Sequence, residues 1–109
     1  MAQRLIPFDV MPGLIDAAEW EKLSAGAIQR VSALNMFLHD IYHKQDIVKA
    51  GIVLASILAN SQYRPEMFNV DVPQQIYAHI AGIDLVGTPE SQFYVLEDNL
   101  RSHLVFRIC

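Results

Sequence analysis

Apolar side chains recur every three or four positions between Trp20 and Ile41, which is the spacing of one face of an α-helix. Asp16 precedes this stretch, and its side chain can accept hydrogen bonds from the free amides of a first helical turn. Glu19 completes a capping-box pattern. We therefore predict a helix that begins after Asp16, with Gly26 as a candidate break and an apolar stripe that packs into a core. The stripe comprises Trp20, Leu23, Ala27, Val31, Leu34, Leu38 and Ile41.

The residues on either side of this helix predict shorter elements. For residues 1–15 the prolines predict an arm, and its apolar side chains favour packing. Residues 46–50 are typical of a short helix that ends at Gly51. The apolar run over residues 52–58 fits a helix or a strand equally well. Prolines and asparagines between residues 60 and 73 favour a loop.

The last third of the chain has the pattern of a β-hairpin. Residues 76–86 are rich in β-branched and apolar side chains, and residues 92–100 contain a run of aromatic and aliphatic ones. Residues 87–91 supply the glycine, proline and serine of a turn. We therefore expect an α+β fold with an N-terminal arm, helices over about 17–50 and a C-terminal hairpin.

Composition indicates a globular chain with few charges. The 109 residues are 52% hydrophobic and 18% charged, and the formal net charge is −4. This size corresponds to one small domain or a part of a larger one, and the low charge suggests a surface that is meant to be covered. Cations do not cluster along the chain, which argues against a nucleic-acid partner.

The termini and the single cysteine bear on the compartment. Pro7 and Asp9 interrupt the apolar N-terminus, so we expect neither a secretory signal nor a membrane span. Cys109 cannot form an internal disulfide, which agrees with a reducing compartment. A cytoplasmic location is the expectation.

The predicted hairpin places oxygen-bearing side chains together. Glu97 and Asn99 are two positions apart on one strand and therefore share a face. If Asp84 lies opposite Val95, its carboxylate joins them, whereas a slip of one residue would remove it. Carboxylate and amide oxygens suit Mg²⁺, which commonly uses one or two protein carboxylates together with substrate phosphates.

These residues also carry a resemblance. Asp84, a hairpin and then Glu97-Asp98-Asn99 resemble the metal-binding end of the ATP-grasp ligases. The stretches AGIDLV and FYVLEDNLR are similar to the amino-terminal region of the circularly permuted ATP-grasp family, type 2, and so are PFDVMPGLI, AAEW, QRVSALNMFLHDIY and YRPEM. The resemblance extends over nearly the whole chain up to Arg101.

The resemblance implies roles for individual residues. Glu97 would bridge metal ions on nucleotide phosphates, Asn99 would bind one of these ions, and Asp84 would complete the group. Arg101 would face a phosphate or a substrate carboxylate, for which its planar fork of donors is suited, and is the candidate catalytic residue. The family is likened to glutathionylspermidine synthases, whose reaction class activates a carboxylate with ATP and Mg²⁺ and then passes the acyl group to an amine.

The chain lacks other parts that a nucleotide site needs. It has neither a glycine-rich loop nor paired lysines over the phosphates. We therefore expect residues 1–101 to be the amino-terminal part of a permuted ATP-grasp domain, inactive alone and without stably bound Mg²⁺ or ATP. The implied substrates are small-molecule or peptide carboxylates and amines. Self-association through an exposed hairpin is also expected.

Plainer interpretations stand beside these. Glu97 and Asn99 could be charges and amides at an exposed hairpin edge that deter aggregation, and the whole chain could be a non-catalytic module that binds a partner through that edge. Arg101 could be a solvated strand end, and Arg64 is a weaker candidate for anion binding. His39 and His43 have the spacing of a zinc pair but lack a third ligand, so we predict solvated histidines on a polar helix face.

The tail, residues 102–109, departs abruptly from the family pattern, which continues Val-Pro-Ser-Gly-Val-Ser-Tyr-Met-Leu-Glu. Deleting one base from one possible coding of Arg and that continuation yields Arg-Ser-His-Leu-Val-Phe-Arg-Ile-Cys and a stop codon, which is this tail. We therefore predict a frameshifted tail. The alternative is a genuine short protein with a C-terminal strand, since LVFRI is a fair strand pattern.

Overall fold

The computed structural model describes residues 9–60, 63–90 and 92–100. It has the predicted α+β arrangement of a long helix followed by short helical segments and a C-terminal antiparallel hairpin. Arg101 and the tail after it lie outside the described residues. The elements are α1 (Ala17–Tyr42), α2 (Asp46–Lys49), α3 (Ala55–Asn60), two 3₁₀ turns (Pro65–Met67 and Pro73–Gln75), β1 (Gly82–Gly87) and β2 (Phe93–Asn99).

Helix α1 begins where the capping box predicts. The amide of Glu19 donates to Asp16 Oδ1 over 2.8 Å, and the amide of Asp16 donates to Glu19 Oε2 over 3.2 Å. The candidate break at Gly26 is wrong, because α1 runs unbroken for 26 residues. One exposed glycine costs a helix only about 1 kcal/mol, which the rest of a helix of this length can offset.

The elements after α1 are short. Helix α2 confirms the predicted segment, and Gly51 ends it with φ of +73°, a conformation that glycine adopts without strain. The carboxylate of Asp40, in the last turns of α1, accepts from the first amides of α2, Asp46 N at 2.9 Å and Ile47 N at 3.0 Å. In the apolar run that fitted a helix or a strand, helical structure begins at Ala55.

The hairpin is shorter than predicted because the side chain of Asn35 binds the backbone of the segment that precedes β1. Asn35 Oδ1 accepts from the amides of Tyr77 and Ala78, at 2.8 and 3.0 Å. These amides are therefore not free to pair in a ladder, and β1 begins only at Gly82. Residues 76–81, which we predicted as strand, instead form the connection that packs against α1.

The strand register contains one irregularity. Asp84 lies opposite Glu97, not opposite Val95, because Val95 pairs with Leu85. The pairing shifts by one residue between these two pairs, which leaves Leu96 as the extra residue of a β-bulge. At the tip, the amide of Thr88 donates to the carbonyl of Gln92 over 2.8 Å and closes the predicted turn.

Little of the described chain is fully buried. Its buried hydrophobic side chains are Ile41 and Ala78, at 5% and 8% exposure. The predicted core stripe is therefore formed only in part, since Trp20 is 62% exposed and most of the stripe is half-buried. The radius of gyration is 18.2 Å, against about 13 Å for a compact chain of about 100 residues. Much of α1 is therefore left exposed by the other described residues.

The hairpin and α1 enclose an open apolar cleft of about 660 Å³. Leu23 and Ala27 line it from the helix, and Leu85, Phe93 and Val95 line it from the hairpin. The hairpin also exposes apolar side chains to solvent, since Val95 is 37% and Leu96 is 69% exposed. Among the described helices, none combines the length and the hydropathy of a membrane span.

Candidate metal centre

The outer face of the hairpin, turned away from α1, holds the predicted oxygen donors. Asp84 and Glu97 are directly opposite residues of β1 and β2, so their side chains emerge on the same face. Asn99 Nδ2 donates to Glu97 Oε1 over 3.1 Å, which shows that these two side chains also share a face. The structure thus brings Asp84, Glu97 and Asn99 together, through a register in which Asp84 lies opposite Glu97 and not opposite Val95.

The donor set of this face fits a hard cation. It offers two carboxylates and one amide, and the bond from Asn99 Nδ2 to Glu97 leaves the amide oxygen of Asn99 as the atom for a cation. Among the described residues, no group of three or more His, Cys, Asp and Glu side chains could hold a metal by itself. The remaining ligands of Mg²⁺ would thus come from water or phosphate, as is common for this ion.

Asp98, between the two donors of β2, points to the opposite face. Its carboxylate accepts two hydrogen bonds from Arg30 of α1, Nε to Oδ1 and Nη2 to Oδ2, both of 2.7 Å. Because these bonds favour the ionised carboxylate, they hold the pKa of Asp98 below its ordinary value. The same bonds raise the pKa of Arg30. The side chain of Asp98 is 17% exposed and that of Arg30 is 45% exposed.

The two histidines of α1 are not the solvated side chains that we predicted. Their rings stack with centroids 4.1 Å apart, and both are half-buried. His39 Nδ1 lies 3.2 Å from the hydroxyl of Tyr77, and His43 Nε2 lies 3.2 Å from Asp71 Oδ1. The connection before the hairpin folds back on this part of α1, so the face that the helix pattern left polar is covered.

Tyr77 is at the centre of the cluster that it forms with His39, His43 and Asp71. Its ring stacks on Tyr42 at 5.8 Å between centroids, and Tyr42 stacks on Tyr63 at 5.0 Å. Burial of the phenol, with a smaller contribution from the negative charge of Asp71, raises the pKa of Tyr77. The cluster ties the connection to the end of α1.

Sequence reasoning missed the contacts of Arg30, Asn35 and Asp40. Arg30 and its partner Asp98 are 68 positions apart, and Asn35 bonds amides 42 and 43 positions away, so no local pattern marks them. Asp40 lies only six residues before α2, so its carboxylate could have been recognised as a side chain that caps the first amides of α2. Arg64 was a candidate for anion binding, and its amide donates to the hydroxyl of Tyr42 over 3.3 Å.

Comparison with known proteins places the chain in a family. The model of the family described as a circularly permuted ATP-grasp matches residues 12–104. An uncharacterized protein of Synechocystis sp. is 43% identical over 100 residues, which are 91% of this chain and 21% of that protein. An uncharacterized protein of Mycobacterium leprae is 39% identical over 101 residues, which are 92% of this chain and 18% of that protein.

One of the similar proteins has a name that describes an enzyme activity. A protein of Frankia casuarinae that is provisionally named glutamate–cysteine ligase 2-2 is 42% identical over 100 residues, which are 92% of this chain and 12% of that protein. The chain therefore spans about a fifth or less of the length of these curated relatives. With the family match extending over most of its residues, the chain belongs to the circularly permuted ATP-grasp family.

Proposed function

We propose that this chain contributes the metal-holding hairpin of an ATP- and Mg²⁺-dependent ligase that joins a carboxylate to an amine. The observation that carries the proposal is the outer face of the hairpin, where Asp84 lies opposite Glu97 and Asn99 is bonded to Glu97. Membership of the ATP-grasp family supports the use of ATP and Mg²⁺. The Frankia relatives named as glutamate–cysteine ligases support an acid and an amine as substrates.

The proposed division of work among these residues follows from their chemistry. Asp84 and Glu97 offer negative oxygens, and Asn99 offers a neutral one, so the group can hold a divalent cation while leaving positions for phosphate oxygens. The cation, when bound, would neutralise the charge that develops on a transferring phosphoryl group. The bond from Asn99 orients Glu97 before any ligand arrives.

The other parts of the reaction are assigned to the rest of a longer protein. The described residues do not include a glycine-rich phosphate loop, and the relatives are several times longer than this chain. We therefore propose that the chain alone does not turn over ATP. Arg101, which directly follows the hairpin in sequence, keeps its proposed role at a phosphate or a substrate carboxylate.

A chimera tests the metal assignment. Residues 12–100 of this chain would replace the matched segment of the Synechocystis relative, and binding of Mn²⁺-ATP would be measured by calorimetry and by the electron paramagnetic resonance of Mn²⁺. We expect Glu97→Gln, Asn99→Ala and Asp84→Asn each to weaken the binding of Mn²⁺. Glu90→Gln in the turn makes the same charge change away from the site and should have no effect. Equal behaviour of Glu97→Gln and Glu90→Gln would contradict the assignment.

The unmodified 109-residue chain provides the second test. Because the phosphate and adenine contacts are assigned elsewhere, titration with Mg²⁺-ATP should show no binding tighter than about millimolar. Tighter binding would show that the chain carries a nucleotide site of its own.

A binding module is the second candidate function. The described sheet has two strands, so each strand has an edge without a backbone partner, and the inner face borders the apolar cleft. Such edges accept added strands from another chain. Pull-down of a strand-forming partner by the intact chain, abolished by proline substitution at the exposed Leu96, would favour this candidate.

A further inference from the structure

Strand β2 can pair with β1 in two registers near the outer face of the hairpin, the metal face that holds Asp84, Glu97 and Asn99. We call these registers the two phases of β2. With the bulge at Leu96, Glu97 lies opposite Asp84 on the outer face and Asp98 lies opposite Ile83 on the inner face. If the ladder continued without a bulge from the pair Leu85–Val95, Leu96 would lie opposite Asp84, and Glu97 would turn toward α1. The two phases differ in which carboxylate the outer face receives.

The hairpin alone does not choose strongly between these phases. A two-stranded sheet is marginal by itself, and register is weakly specified where neither face is buried. Leu96 is 69% exposed and Val95 is 37% exposed, so neither side chain is held in a core that would reject the other phase. The choice therefore depends on contacts that β2 makes with another element.

Arg30 makes such a contact. Its guanidinium, on α1, donates two hydrogen bonds of 2.7 Å to the carboxylate of Asp98. Because the donors of a guanidinium lie in one plane, this pair of bonds fixes the orientation of the carboxylate. Asp98 can be reached from α1 only when it is on the inner face, and that requires the bulged phase. When Asp98 is held there, its neighbours Glu97 and Asn99 both emerge on the outer face.

We propose that Arg30 is a positioning residue for the metal centre, which selects the bulged phase of β2 by binding Asp98 and so presents Glu97 and Asn99 to the cation. This inference rests on the proposed function, because it assigns Arg30 to the same metal face. Arg30 does not itself contact the cation. Its effect on metal binding is transmitted through the backbone of β2.

Nuclear magnetic resonance of the intact 109-residue chain, with Mn²⁺ as the probe, tests the proposal. Cross-strand contacts of Asp84 with Glu97 or with Leu96 report the phase, and loss of amide signals near bound Mn²⁺ reports the site. We expect Arg30→Gln to populate the phase in which Leu96 faces Asp84 and to weaken Mn²⁺ binding at this face about tenfold, as removal of groups that orient metal ligands commonly does. Lys22→Gln removes the same charge from the same helix and should change neither measurement.

Rescue separates positioning from a general loss of structure. The exchanged pair, Arg30→Asp with Asp98→Arg, restores the link between α1 and β2 and should restore both the phase and the binding of Mn²⁺. Helix content by circular dichroism checks that each variant is folded. Unchanged phase and Mn²⁺ binding in Arg30→Gln would overturn the proposal.

The two proposals fail differently. If Glu97→Gln and Glu90→Gln bind Mn²⁺-ATP equally in the chimera, the metal assignment fails, whereas the cross-strand contacts in the 109-residue chain still decide whether Arg30 sets the phase. If Mn²⁺ acts at this face and Arg30→Gln changes nothing, the metal assignment stands and the role of Arg30 is refuted.

Discussion

Asp84 of β1 lies directly opposite Glu97 of β2 because one extra residue, Leu96, interrupts the ladder between that pair and the pair Leu85–Val95. The bulge moves Glu97 onto the outer face and Asp98 onto the inner one. Bulges recur next to functional sites because they re-aim a side chain without changing the rest of a strand. Here the bulge unites the candidate metal donors on one face.

Deletion of Leu96 should preserve the metal face. With this residue removed, Val95 can pair with Leu85 and Glu97 with Asp84 in a regular ladder, and Asp98 remains opposite Ile83. We expect unchanged cross-strand contacts on the other pairs by nuclear magnetic resonance. Leu96→Ala, which shortens the side chain but keeps the extra residue, is the control and should leave the bulge in place. A Leu96 deletion that places Asp98 opposite Asp84 would contradict this account of the bulge.

Asn35→Ala should destabilise the chain. Asn35 Oδ1 accepts from the amides of Tyr77 and Ala78, and without it both amides lose their partner beside a half-buried surface. The free energy of unfolding should fall by about 1–3 kcal/mol, the usual penalty for polar groups left unpaired on burial. Urea unfolding followed by circular dichroism measures the change.

Two further variants make this test specific to the acceptor. Asn35→Asp keeps an acceptor for both amides and should cost less than Asn35→Ala. Gln29→Ala, at an exposed position of the same helix, should have little effect. The prediction fails if Asn35→Ala is no more destabilising than Gln29→Ala.

Acid should remove the stabilisation that Asp40 contributes. The amides of Ile47 and Asp46 bond its carboxylate and lower its pKa in the folded chain. A carboxyl whose folded pKa is depressed contributes stability that is complete above the unfolded pKa, about 3.9, and is lost as the pH falls through the folded pKa. Asp40→Asn should therefore be less stable than the parent chain at pH near 7, and the difference should shrink at pH below about 4.

Urea unfolding at both pH values measures this difference. Glu21→Gln, which removes an exposed carboxylate from α1, serves as the control for the general effect of charge. A difference between Asp40→Asn and the parent chain that persists undiminished in acid would show that the carboxylate charge is not what caps α2.

The apolar cleft between α1 and the hairpin should promote association. Leu85 lines this cleft and is 42% exposed, so association would bury apolar surface that water now contacts. Sedimentation velocity should show a mass that rises with concentration, and Leu85→Lys should reduce the rise. Leu96→Lys places the same charge on a residue that does not line the cleft. A chain that stays monomeric and melts cooperatively would contradict the prediction.

The gene sequence tests the predicted origin of residues 102–109. If the tail arose by loss of one base, restoring that base should reopen a frame that encodes the Pro-Ser-Gly segment and a long continuation beyond it. Sequencing the locus and the downstream region is the measurement. A downstream region without such a frame would contradict the predicted frameshift.

Local sequence determined the elements whose hydrogen bonds close within a few residues. The capping box of Asp16 and Glu19 and the helical spacing of apolar residues predict α1, because each backbone bond of a helix joins residues four apart. Gly51 likewise marks the end of α2 through its own conformational freedom. The pair Glu97 and Asn99 was also visible, since residues two apart on a strand share a face, whereas the place of Asp84 depended on the cross-strand register.

Tertiary structure decided which of several permitted pairings the chain adopts. The residues before Gly82 have a good strand pattern, yet the amides of Tyr77 and Ala78 pair with Asn35, a competitor far away in sequence. The phase of β2 cannot be read from alternation alone, because regular alternation would carry Glu97 to the inner face, whereas the bulge at Leu96 carries Asp98 there, where Arg30 binds it. Long-range hydrogen bonds select between locally equivalent choices, so they appear only once the chain has folded back on α1.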